Sequence, residues 1–291
     1  MKQPETETET ETVSLHHWFD TPPGRYVLEW EQERHDELVA DLFGYRALQL
    51  GAPRLEGLRA NRMPHRWLAL GQAQAMMLES QCDSENVRMN GGTNGADGPR
   101  TGPPVALLAE PVMLPFGEAS LDLVLMPHAL EDSPDPHAAL REAGRVLVPE
   151  GRVLISGFNP FSLWGMNHAR ARLNRRLGLG GRLYLPEAGQ LIAPNRLRDW
   201  LQLLGFQIES ISFGCYRPAV RSQGWLEKYS ALDALGARWW PILGAAYVIV
   251  AVKRVQGVRL LGPSWRKGAA QKAPAPSPVP VANTRPHFHR K

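Results

Sequence analysis

The sequence predicts one doubly wound α/β domain over residues 13–262 of a 291-residue chain, built on a mostly parallel seven-stranded sheet. Two observations carry this expectation. Short runs of Leu, Val and Ile alternate with helical patterns, the signature of a parallel sheet covered on both faces. The segments outside the body are low in complexity: residues 1–12 alternate Glu and Thr, and residues 263–291 are rich in Ala and Pro. Neither can bury enough apolar surface to offset chain entropy, so both are expected to be disordered tails.

In chain order, Leu15 to Gly44 reads as one or two helices packing on the sheet edge. Candidate strands follow at Arg46–Leu50, Arg66–Leu70, Val105–Leu108, Leu121–Met126, Arg152–Ser156, Gln207–Ser212 and Tyr247–Val252. Between the second and third, residues 84–104 hold five Gly and three Pro and read as an insertion into a surface loop. The clearest helix follows the fourth strand. Asp135 can cap it, Pro136 suits its first turn, and Ala139, Leu140, Ala143, Val146 and Leu147 form one apolar stripe. Pro149 to Gly151 then turns the chain into the fifth strand. Later, the segment beginning at Trp225 reads as a second covering helix.

Charge and cysteine usage exclude several function classes. The acidic start carries four Glu against one Lys, and residues 263–291 carry six Lys and Arg with no acid. The pI near 9.2 is therefore mostly a property of the tail, and is weak evidence for nucleic-acid binding by the folded body. Cys82 and Cys215 lie in no disulfide framework or zinc spacing, so a reducing, cytoplasmic setting and no metal site are expected. The N-terminus lacks the basic and apolar runs of a signal peptide. The longest apolar stretch, Trp239 to Val252, contains Pro241 and Gly244 and falls short of the roughly 20 residues of a membrane helix.

Residues 114–156, LPFGEASLDLVLMPHALEDSPDPHAALREAGRVLVPEGRVLIS, combine a Leu-Pro-Phe turn, an apolar strand, a His-x-Leu-Glu stretch, an Asp-Pro helix start, an Arg-Val-Leu helix end and a Pro-x-Gly turn. In order and spacing this resembles the core of class I S-adenosylmethionine-dependent methyltransferases, in the subgroup with many small-molecule and RNA methylating enzymes. The resemblance implies a Rossmann-like sheet whose last strand is antiparallel, with the cofactor at the carboxyl ends of the first four strands.

In such enzymes the loop after the first strand is an acid followed by spaced glycines. Here it reads Gln49, Leu50, Gly51, Ala52, Pro53, Arg54, Leu55, so Gly51 alone of the glycines is kept and Gln49 stands for the acid. Gln72 stands where the resemblance implies an acid for the ribose hydroxyls. Glu110 matches the acid that contacts the adenine amino group, and Leu114 packs on the adenine or lines the core beneath it. Met126 and His128 border the methyl group and the substrate; His128 is the candidate base, with a hydrogen-bonded structural histidine as the alternative. Glu131 and Asp132 read as loop or cap residues, and Asn159, Ser162 and Trp164 lie where a substrate lid is expected.

The segment His168 to Arg182 carries Arg170, Arg172, Arg175, Arg176 and Arg182 with no acid, on a helix that also shows Leu163, Met166, Leu173 and Leu177. Such a helix suits RNA, an anionic substrate or a membrane surface. The plainer reading, which we favour from sequence alone, is a solvated helix whose Leu face covers the sheet. Two alternatives to a methyltransferase acting on a small molecule or RNA stay open. One is a methyltransferase-like interaction module that has lost cofactor binding, the other an enzyme acting at a membrane surface on a lipid or quinone.

Overall fold

A computed structural model of the chain describes residues 15–76, 105–179, 183–186, 189–220 and 222–254, all within one compact unit, Met1–Val255. Both tails and the insertion at 84–104 lie outside the described residues. The strands are β1 (Arg46–Leu50), β2 (His65–Leu70), β3 (Val105–Leu108), β4 (Leu121–Pro127), β5 (Leu147–Phe158), β6 (Phe206–Gly214) and β7 (Ala246–Lys253). They form one sheet in the order β3-β2-β1-β4-β5-β7-β6. The first five run parallel, and β7 pairs antiparallel with both β5 and β6. Strand order therefore reverses between β1 and β4, where ligands of open α/β sheets bind.

Period-two alternation divides the core between the two faces of the sheet. Leu48, Leu50, Val124, Met126, Val153 and Ile155 join one cluster with Ala139, Leu140, Ala143 and Val146. Those last four are the inward stripe of a helix over Pro136–Val146, whose Asp135 side chain accepts from Ala138 N at 3.0 Å. On the opposite face Ala47, Leu123, Leu125, Leu154 and Val250 pack with Val39.

Three expectations are corrected. The helix Pro22–Val39, capped by Thr21, lies over the central strands through Val39 rather than on the sheet edge. Strand β5 begins at Leu147, ahead of the expected turn: Glu150 takes φ 65° and the register with β4 shifts, so Pro149 to Gly151 kinks the strand instead of preceding it. The segment after Trp225 is two helices, Gln223–Lys228 and Ala231–Trp239, followed by a 3₁₀ turn at Pro241–Leu243.

A fourth correction concerns the basic helix, which spans Leu163–Arg176. Its inward face is Trp164, Gly165 and His168, while Leu163, Met166, Leu173 and Leu177 are each more than half exposed. Gly165 decides which face turns in, because a Cβ there would stand 2.4 Å from Pro160 O. The Leu stripe does not cover the sheet.

Candidate active site

The loop after β1 is held open by its own glutamine. Gly51 and Ala52 both take left-handed backbone conformations, φ 74° and 43°, and Gly51 N donates to Ala69 O at 2.9 Å. For Ala52 this costs about 1–2 kcal/mol, so something must fix it. Gln49 does so: its buried Nε2 donates to Gly51 O, Ala52 O and Leu55 O at 3.3, 3.1 and 2.6 Å. Its Oε1 accepts from Gly57 N at 3.0 Å, which sets the orientation of the amide. A carboxylate, which only accepts, could not face those three carbonyls. Gln49 thus shapes the loop and does not line the cleft beyond it.

That cleft, about 140 Å³, lies at the ends of β1, β2 and β3 and is lined by Gly51, Gly71, Gln74, Glu110, Ala129 and Asp132 among others. Glu110 reaches from the end of β3 to the end of β2, where its Oε1 accepts from Gln72 N at 3.0 Å. Gly71 makes that reach possible: a Cβ there would sit 3.0 and 3.1 Å from the two carboxylate oxygens. Gln74 Nε2 donates to Asp132 Oδ2 at 2.8 Å and would lie 3.4 Å from a Cβ on Gly51, so these groups form one rim. Of the six residues expected at the cofactor, Gly51 and Glu110 line the cleft. Gln72 contributes its backbone N–H to Glu110, while Leu114 and Met126 are buried in the core of the sheet.

His128 is not an accessible base. It is fully buried at the end of β4 with φ 54°, its Nδ1 2.8 Å from Glu131 Oε2 and its Nε2 2.9 Å from Glu31 Oε1. Phe158 and Phe19 flank its ring at 4.4 and 5.6 Å. Burial alone would lower its pKa, but the charge of Glu31 and the hydrogen bonds that the ring donates to Glu131 and Glu31 outweigh it and push the imidazole up to about 10. Both ring nitrogens therefore donate, and His128 is an imidazolium between two carboxylates at neutral pH. Glu131 is no cap: it is buried, burial pushes its carboxyl up against the pull of His128, and its Oε1 accepts from Phe158 N at 2.7 Å.

Sequence reasoning missed Glu31 altogether. The signal was present, because Val27, Glu31, His35 and Val39 recur every four residues on the buried face of their helix, a stripe where a carboxylate needs a partner. His35 Nδ1 lies 2.8 Å from Glu31 O, and burial lowers its pKa, so it stays neutral and donates from Nδ1.

Asn159, expected to face a substrate, is a staple. Its Nδ2 donates to Ile242 O and Gly244 O at 2.7 and 3.0 Å, and its Oδ1 accepts from Phe161 N at 3.0 Å. Ser162 caps the basic helix by accepting from Gly165 N at 3.0 Å, and buried Trp164 donates to Arg217 O at 2.6 Å. Asn159 and Ser162 thus fix the turn after β5, and Trp164 ties the basic helix to the segment at Arg217.

A family model described as "Methyltransferase domain" matches residues 73–155, from the rim at Gln74 through most of β5. Those residues are similar to a methyltransferase domain. The match takes in Gln74, Glu110, Ala129 and Asp132 of the cleft and the Asp135-capped helix, but not Gly51 or Gly71, and the seven-stranded sheet with antiparallel β7 is Rossmann-like. A curated relative, the uncharacterized protein YafS of Escherichia coli K12, is 37% identical over 153 residues, covering 53% of this chain and 57% of that protein. The match thus spans little more than half the relative's length. Among solved structures, a SAM-dependent methyltransferase from Thermotoga maritima, described as a possible histamine N-methyltransferase, is 17% identical with TM-score 0.46, over 82% of this chain and 99% of that one. A SAM-dependent methyltransferase from Archaeoglobus fulgidus is 16% identical with TM-score 0.48, over 78% and 94%. Among the described residues no helix is long and apolar enough to cross a membrane, and no cluster of three His, Cys, Asp or Glu could hold a metal ion.

Proposed function

We propose that the chain binds S-adenosylmethionine in the cleft at the ends of β1, β2 and β3 and transfers its methyl group to a small-molecule or RNA acceptor in the cytoplasm. The observation that carries this reading is the Glu110 carboxylate, aimed across the space left by Gly71 beside the left-handed Gly51 loop. Those residues fit the cofactor. Gly51 brings backbone close to the ligand without a side chain in the way, and Glu110 accepts hydrogen bonds from ligand O–H or N–H groups. With Glu110 reaching to β2, it supplies the carboxylate that Gln72 lacks, and serves the ribose hydroxyls as well as, or in place of, the adenine amino group.

Bound there, the cofactor supplies an already activated methyl group on a sulfonium. What remains for the chain is alignment of the acceptor within about 3 to 3.5 Å and exclusion of water. His128 takes no proton in this scheme, because its imidazolium is sealed between Glu31 and Glu131. An acceptor atom with a free lone pair at neutral pH suits this site, because it asks nothing of His128 before attack.

The reading of a cofactor-free interaction module draws on one observation, that Gln49 spends its amide on the loop and leaves no carboxylate there for the ligand's ammonium group. Incubating the protein with methyl-labelled S-adenosylmethionine and cell extract divided into RNA and small-molecule pools separates the two. Label entering one pool, and lost with Glu110→Ala, is the expected result. No transfer to either pool, with no protection of the fold by the cofactor, would overturn the enzymatic reading in favour of the module.

A further inference from the structure

We propose that the face made by the outward stripe of the Leu163–Arg176 helix and the Trp239–Leu243 segment docks on a membrane surface carrying anionic lipids. The stripe runs Leu163, Met166, Arg170, Leu173, Leu177, alternating steps of three and four residues, so all five share one side of the helix and its continuation. The four apolar members are each more than half exposed, and Arg170 is exposed within their row. Trp239, Trp240 and Ile242 are also more than half exposed. Asn159 joins the two parts, donating to Ile242 O at 2.7 Å while accepting at 3.0 Å from the N–H of Phe161, itself more than half exposed.

The chemistry of this face selects its occupant. Arg170 stands in the exposed row and Arg176 is exposed at its flank, and the helix has no acid, so a second copy would set arginines against arginines. The basic segment 263–291 fails for the same reason. The acidic start of the chain has the right charge but alternates Glu and Thr, with nothing apolar to cover Leu or Trp. RNA would neutralise the arginines and leave the aliphatic row in water. An anionic bilayer meets both demands: aliphatic and indole groups enter the headgroup boundary while arginine stems lie along it and their heads meet phosphates.

The test is co-sedimentation of the full chain with phosphatidylcholine vesicles, with and without phosphatidylserine. Sedimentation with the anionic vesicles alone, weakened by salt, is expected. Arg170→Gln with Arg176→Gln should lower partitioning by roughly tenfold or more. Leu173→Asn with Leu177→Asn should lower it comparably, with unchanged circular dichroism showing that the fold survives. No binding to anionic vesicles at low salt, or binding indifferent to both variant pairs, would overturn the proposal. So would RNA binding without vesicle binding, or a dimer that the Leu substitutions dissolve. No cleft residue takes part, so the docking face and the methyltransferase reading stand or fall separately.

Discussion

The Nε2 of His128 lies 2.9 Å from Oε1 of Glu31, a carboxylate 97 residues earlier in the chain, and both side chains are fully buried. With Glu131 on the other nitrogen, the contact ties the Pro22–Val39 helix to the end of β4 beside the cleft. Its role is structural, and that has a measurable consequence. His128→Ala removes the cation and leaves two buried carboxylates facing each other, which is expected to cost about 3–5 kcal/mol of stability. Urea unfolding monitors it through the midpoint, and cofactor affinity measured under folding conditions should change little.

Stability should also fall as pH rises. The folded imidazole, raised to about 10, keeps its proton well above the ordinary histidine value of 6.5, so the native state binds more protons than the unfolded chain in that window. The contribution is complete below about pH 6.5 and is lost as pH climbs through the folded value. Glu131, raised by burial, acts in the same sense. Melting temperatures compared at pH 6.5 and 9 check this, with the larger drop in wild type than in His128→Gln.

Restoring the expected acid at Gln49 should harm the protein. In Gln49→Glu a carboxylate faces the carbonyls of Gly51, Ala52 and Leu55 and loses three donated hydrogen bonds, at a cost of about 1–3 kcal/mol. The ionised form is the disfavoured one, so the loss should be smaller at pH 5, where a protonated carboxyl can donate, than at pH 8. Equal destabilisation at both values would mean that the amide does not hold the loop.

Glu110→Ala should weaken cofactor binding by about 10- to 100-fold, the loss of a charge-assisted hydrogen bond worth about 1.5–3 kcal/mol. Stability should change little, because among the described residues the carboxylate's protein partner is the N–H of Gln72 at the cleft rim. Thermal unfolding with and without ligand separates the two effects.

The parts of the fold set by local pattern were legible in the sequence. β1 and β3 have the bounds their Leu and Val runs imply, and the Pro136–Val146 helix follows its cap and stripe. What depended on distant partners was not. Nothing near His128 announces Glu31, and nothing near Asn159 announces the carbonyls of Ile242 and Gly244, 83 and 85 residues away. The Leu row of the basic helix was visible as a row, but periodicity does not say which side meets the sheet. Close packing at Gly165 does. At Gln49 the resemblance led to a loss of function being weighed, because the donor capacity of an amide matters only once three carbonyls surround it.

Calorimetric titration of the purified protein with S-adenosylmethionine and its demethylated product tests the central claim most directly. The account requires micromolar binding of both ligands, carried by Glu110 and the Gly51 loop and abolished by Gly51→Asp in a protein that stays folded. Absence of binding at millimolar ligand, or undiminished binding in Gly51→Asp, would contradict it.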